Sequence, residues 1–101
     1  MLIWVPVQKE DALTSIIVPQ VEANKWALID FNEGEVKSLR FYDSTSDFSD
    51  GWVDFVILAN KFENYLDFMN EGLMCLVVRE EKTLEDIVEA FKFKELDEIG
   101  L

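Results

Sequence analysis

Three short stretches in which every residue is apolar constrain this chain most: Leu2-Ile3-Trp4-Val5-Pro6-Val7, Phe55-Val56-Ile57-Leu58-Ala59 and Leu73-Met74-Cys75-Leu76-Val77-Val78. A strand with one wet face carries a polar residue at every second position, so unbroken apolar runs of this length predict strands covered on both faces. None approaches the roughly eighteen apolar residues needed to span a bilayer. Between the second and third runs, Lys61 to Glu71 places Phe62, Tyr65, Leu66 and Met69 at helical spacing, and Gly72 stands where a left-handed C-terminal cap belongs. After the third run, Thr83 and Asp86 have capping-box spacing, and Leu84, Ile87, Val88 and Phe91 form the next stripe. Strand, helix, strand, helix predicts parallel strands joined by a right-handed crossover.

The N-terminal half reads as a meander. Pro6 cannot donate a ladder hydrogen bond, which places it at the end of its strand or at a bulge. Lys9 to Lys25 mixes the extended Ile16-Ile17-Val18 with Pro19 and charged flanks, an ordered loop holding a short strand. Trp26 to Phe31 and Val36 to Tyr42 flank Asn32-Glu33-Gly34-Glu35, where Gly34 suits the positive φ of a tight hairpin. The mixed pattern of the second of these strands suits a sheet edge. The expected architecture is α/β: a mixed five-stranded sheet, N-terminal β-meander followed by βαβα. The 101 residues leave room for one core, so the chain is read as a single domain spanning residues 1–101.

Composition removes whole classes of function. With 21 acidic and 9 basic residues the net charge is −12, which opposes nucleic acid and anionic membrane surfaces. There is no histidine, so catalytic triads, Cys-His dyads and most zinc or iron sites lack their usual ligand. Cys75 is the only cysteine, lies within an apolar run and reads as packing. It cannot form an internal disulfide, and Met1 to Ala12 lacks the pattern of an export signal; both lead to the expectation of a cytoplasmic protein. Asp43, Asp47, Asp50 and Asp54 fall within twelve residues, but they lack calcium-loop spacing and stand where turns concentrate Asp and Ser. No glycine-rich phosphate loop is present. The chain is expected to be no enzyme and to hold no cofactor.

Ile3-Trp4-Val5-Pro6-Val7, Trp26 to Asp30, Val53-Asp54-Phe55-Val56-Ile57, Asn70 to Val77 and Thr83-Leu84-Glu85-Asp86-Ile87 together resemble the dinitrogenase iron-molybdenum cofactor biosynthesis family, the NifX-like domains related to the NifB C-terminal region. The resemblance covers most of the chain and implies a ribonuclease H-like fold. Family members carry a Ser-x-His-Phe-Gly-Arg-type segment before the second strand. The aligned stretch here is Val18 to Ala23, with Gln20 at the His position and Ala23 at the Arg position. A carboxamide and a methyl group replace an imidazole that can ligate a soft metal and a guanidinium that can pair with an anion. The family's first helix is also shortened or missing. About eleven residues separate Tyr42 from Asp54. Eleven extended residues reach about 36 Å, against roughly 22 Å needed to cross three strand spacings and return.

Phe48 and Trp52, four apart, are expected to form one helical turn over a thinly covered sheet face. Phe93, Leu96 and Ile99 recur at three-residue intervals and are expected to line a short helix that folds back on the domain or meets a partner. These five residues are the candidate interaction surface, for a protein partner or a homodimer. The expected function is a non-catalytic accessory or protein-interaction domain. The alternatives are an iron-sulfur or iron-molybdenum cofactor carrier or chaperone, and a divalent-metal-dependent hydrolase built on the four aspartates.

Overall fold

The computed structural model describes residues 1–99. Its elements are β1 (Leu2–Val7), β2 (Lys25–Asn32), β3 (Glu35–Tyr42), β4 (Phe55–Leu58), α1 (Leu66–Asn70), β5 (Met74–Val77), α2 (Leu84–Lys92) and β6 (Asp97–Glu98). They form one mixed sheet in the order β3-β2-β1-β4-β5-β6. β1, β4 and β5 run parallel; β2, β3 and β6 pair antiparallel with their neighbours. The three apolar runs thus occupy interior positions, and β3 is an edge strand, as their patterns predict. Among the described residues no helix is long and apolar enough to cross a membrane.

Local chemistry accounts for the connections. Glu33 and Gly34 both have positive φ, 53° and 78°, the requirement of a two-residue turn that matches strand twist. Pro6 is the penultimate residue of β1, where its carbonyl accepts from the Val18 N–H at 3.1 Å. The segment after β1 is pinned to α2: Leu84 and Glu85 N–H groups donate to the Ser15 and Leu13 carbonyls, each at 3.0 Å. Thr83 and Asp86 close a capping box, so the first amides of α2 are satisfied from two sides.

Four expectations are corrected. The sheet has six strands rather than five, because the tail extends along β5 as β6 instead of forming a helix. In an extended segment, positions three apart point to opposite faces. Leu96 therefore packs on one face of the sheet and the buried Ile99 on the other, while Phe93 stays exposed. The helix expected over 61–71 is only the five-residue α1. Asn60 Oδ1 accepts from the Phe62 N–H at 3.0 Å and Asn64 Oδ1 from the Leu66 N–H at 3.2 Å. These Asx turns hold the first half of the segment out of helix. Phe62 is left 86% exposed, and Tyr65 and Phe68 face the sheet instead. Finally, the turn expected to join Phe48 to Trp52 lies earlier, as a 3₁₀ turn over Thr45–Asp47. Ser44 and Asp47 cap it reciprocally.

Each sheet face has its own core. On one, α2 buries Leu84 and Ile87 against Ile3, Val5, Ile29 and Ile57. On the other, Trp4, Leu28, Val56 and Leu58 are covered by Phe48, Tyr65 and Phe68 from loops and from α1. Among the described residues no full helix crosses this second face, which is the thin coverage that the short third connection implies.

Candidate functional site at the strand switch point

β1 and β4 are parallel neighbours, yet the chain leaves β1 toward β2 and leaves β4 toward β5. Such a reversal opens a crevice outside the carboxyl ends of the two strands, the usual ligand position in open α/β sheets. Two segments meet there: the 3₁₀ turn Gln20–Glu22, after β1, and residues 60–64, after β4.

Glu63 joins them. Its Oε1 accepts from the Gln20 N–H at 2.7 Å, and its Oε2 accepts from the Asn60 N–H at 2.9 Å. The Gln20 side chain completes the link, its Nε2 donating to the Asn64 carbonyl at 2.9 Å. Two backbone amides at this position are thus held by a carboxylate of the chain itself. Ala23 ends the turn, its N–H donating to the Gln20 carbonyl at 3.1 Å. Glu22 adds a second acidic residue, and Val21 points outward, 96% exposed.

The metal-sulfur cargo implied by the resemblance does not fit these residues. Such a group is anionic and asks for soft or cationic donors. The crevice offers the Gln20 carboxamide, already engaged, together with Glu63 and Glu22. Cys75 lies elsewhere, buried in β5, with its thiol directed at the Tyr65 and Leu73 carbonyls. Burial pushes its pKa above the usual thiol value, which disfavours the thiolate that would bind metal.

Three of the four aspartates are dispersed into structural tasks. Asp43 pairs with Lys25 at 2.6 Å, Asp47 caps its 3₁₀ turn, and Asp54 Oδ2 accepts from the Leu2 N–H at 2.9 Å. The hydrogen bond that Lys25 donates to Asp43, the largest contribution, raises the Lys25 pKa. Among the described residues no three His, Cys, Asp or Glu side chains come together to hold a metal ion.

The five candidate interaction residues separate. Phe48 packs edge-on against Trp4 and Tyr42, at 6.1 and 5.9 Å between ring centroids. Trp52 is 69% exposed, its ring lying over Gly72, where an added Cβ would meet it at 3.0 Å. With Trp4, Val53 and Leu73 these two rings line a recess of about 610 Å³ on the thinly covered face. Leu96 belongs to the opposite face, Ile99 is buried, and Phe93 is exposed beyond the end of α2. Glu63 was invisible to sequence reasoning: its bond to Gln20 spans 43 residues, and no local pattern marks it.

No protein-family model and no curated protein matches the chain. Solved structures match along almost its whole length. A candidate dinitrogenase from Methanocaldococcus jannaschii superposes with a TM-score of 0.77 at 16% identity, covering 99% of this chain and 95% of that one. The apo form of the orange protein from Desulfovibrio gigas gives 0.74 at 12% identity, over 98% and 92%. A candidate NifB protein of the DUF35 family from Thermotoga gives 0.69 at 19% identity, over 96% and 91%. At these identities the shared property is the fold.

Proposed function

We propose that this chain is a non-catalytic accessory domain of the nitrogenase-cofactor-biosynthesis type, with a ribonuclease H-like fold, that acts by protein contact and not by carrying a metal cluster. One observation carries this reading: at the switch point, where the resemblance calls for His and Arg, Gln20 and Ala23 stand, and Glu63 occupies the amides on both sides of the crevice. A negative charge already placed there opposes an anionic cargo. Support for the family comes from the sequence resemblance and from a fold shared with a candidate NifB protein and a candidate dinitrogenase. Support for protein contact comes from the exposed indole of Trp52 beside an aromatic recess, since exposed Trp is enriched in interface hot spots. A cytoplasmic setting suits a buried free thiol.

The test is iron and molybdenum analysis, with a visible absorption spectrum, of protein purified from its native cell without oxygen. The proposal expects colourless protein with metal far below one equivalent. A coloured species with stoichiometric metal would establish the carrier reading instead.

A further inference from the structure

The face of the sheet opposite Trp52 carries a second recess, of about 510 Å³, at the amino ends of β1, β4 and β5. Its floor is aromatic: Phe91 packs edge-on against Phe31 and Phe55, at 5.3 and 5.0 Å between centroids. Met74, Leu76 and Leu96 extend the apolar wall. The polar lining is Lys92, Lys94 and Glu98, so cations outnumber carboxylates here in a chain of net charge −12. The volume lies within the ordinary range of small-molecule sites.

The position of Lys94 is informative. α2 ends in a Schellman arrangement, with the Glu95 N–H donating to the Ala90 carbonyl at 2.8 Å and the Lys94 N–H to the Phe91 carbonyl at 3.2 Å. The residue between must be left-handed, and Lys94 has φ 59°. Glycine is the usual occupant because it avoids the Cβ clash. A lysine in this left-handed position lines the apolar recess at a cost in stability that glycine would avoid. The same hydrogen bonds occupy the last carbonyls of α2, which reduces the negative potential that a helix end would otherwise project into the recess.

We infer that this recess binds a small apolar carboxylate, its hydrocarbon or aromatic body against Phe31, Phe55 and Phe91 and its anionic head at Lys92 and Lys94. The overall negative charge slows the approach of such an anion, but screening over about 8 Å at physiological salt leaves the nearby lysines to decide its binding. The site lies across the sheet from the Trp52 recess and at the other end of the parallel strands from Glu63, so it does not depend on the proposed accessory function.

The chain provides its own reporters. Met1 and Met74 line the recess and Met69 does not, so methyl-labelled methionine gives two expected responders and one control. Titration with decanoate below its micellar range is expected to shift the Met1 and Met74 signals saturably and leave Met69 in place. Decyltrimethylammonium, with the same tail and the opposite charge, is expected to bind more weakly. Lys92→Gln with Lys94→Gly is expected to weaken decanoate about fivefold, the scale of two exposed charge pairs. Lys94→Gly alone is expected to raise the melting temperature while weakening decanoate, which separates binding from folding. Non-saturable shifts, an equal response at Met69, equal binding of the cation or unchanged decanoate affinity in the double variant would each overturn the inference.

Discussion

The two faces of the sheet are held by different means. One is covered by α2, nine residues long, capped at both ends and with Leu84 and Ile87 fully buried. The other is held by an aromatic cluster: Trp4 meets Trp26, Tyr42 and Phe48 edge-on at 6.2, 5.7 and 6.1 Å, and the five-residue α1 lies over part of it. A helix buries its stripe as a unit and satisfies its own backbone, whereas an aromatic cluster depends on a few large contacts. Loss of the central ring of the aromatic face is therefore expected to cost more than loss of a cap at either end of the helix on the other.

Trp4→Ala puts the strongest strain on this contrast. Trp4 is 3% exposed and touches three rings, so its removal is expected to cost about 4 kcal/mol by denaturant melting. A loss under about 1.5 kcal/mol would mean that the aromatic cluster is dispensable. On the helical face, Thr83→Ala removes one capping-box partner and is expected to cost only about 1 kcal/mol. Lys94→Gly, at the other end of α2, is expected to stabilise by about 1 kcal/mol by relieving the left-handed backbone. A destabilisation would show that the lysine side chain holds the tail in place. The smallest effect belongs to Arg79 and Asp97, which pair at 2.8 Å across the exposed β6 edge. The hydrogen bond from Arg79 holds the Asp97 carboxyl below its usual value. Its contribution is therefore present above the unfolded pKa, near 3.8, and lost as pH falls through the lowered folded value. Arg79→Gln is expected to narrow the stability difference from the parent in acid melts below that pH, with a small difference at neutrality.

The same contrast sets how much was legible in the sequence. α2 announces itself because its periodicity, its capping box and its apolar stripe agree. The interior strands do so because unbroken apolar runs have few other uses. α1 misled because Phe62, Tyr65, Leu66 and Met69 have helical spacing, while Asn60 and Asn64 offer the backbone competing hydrogen bonds that spacing does not register. The tail misled for a related reason: intervals of three suit a helix, but the left-handed Lys94 ends α2 and frees the chain to pair with β5. At the candidate site, the presence of Gln20 and Ala23 where the resemblance calls for His and Arg was readable. What fills their place was not, because Glu63 reaches Gln20 only through the fold.

Glu63 at the switch point is proposed to keep a metal-sulfur anion from the Gln20 and Asn60 amides. An anoxic titration of ¹⁵N-labelled protein with tetrathiomolybdate, followed at the amides of Gln20 and Asn60, tests it most directly. Both signals are expected to stay in place, held by the Glu63 carboxylate. A saturable shift centred on those two amides would contradict it.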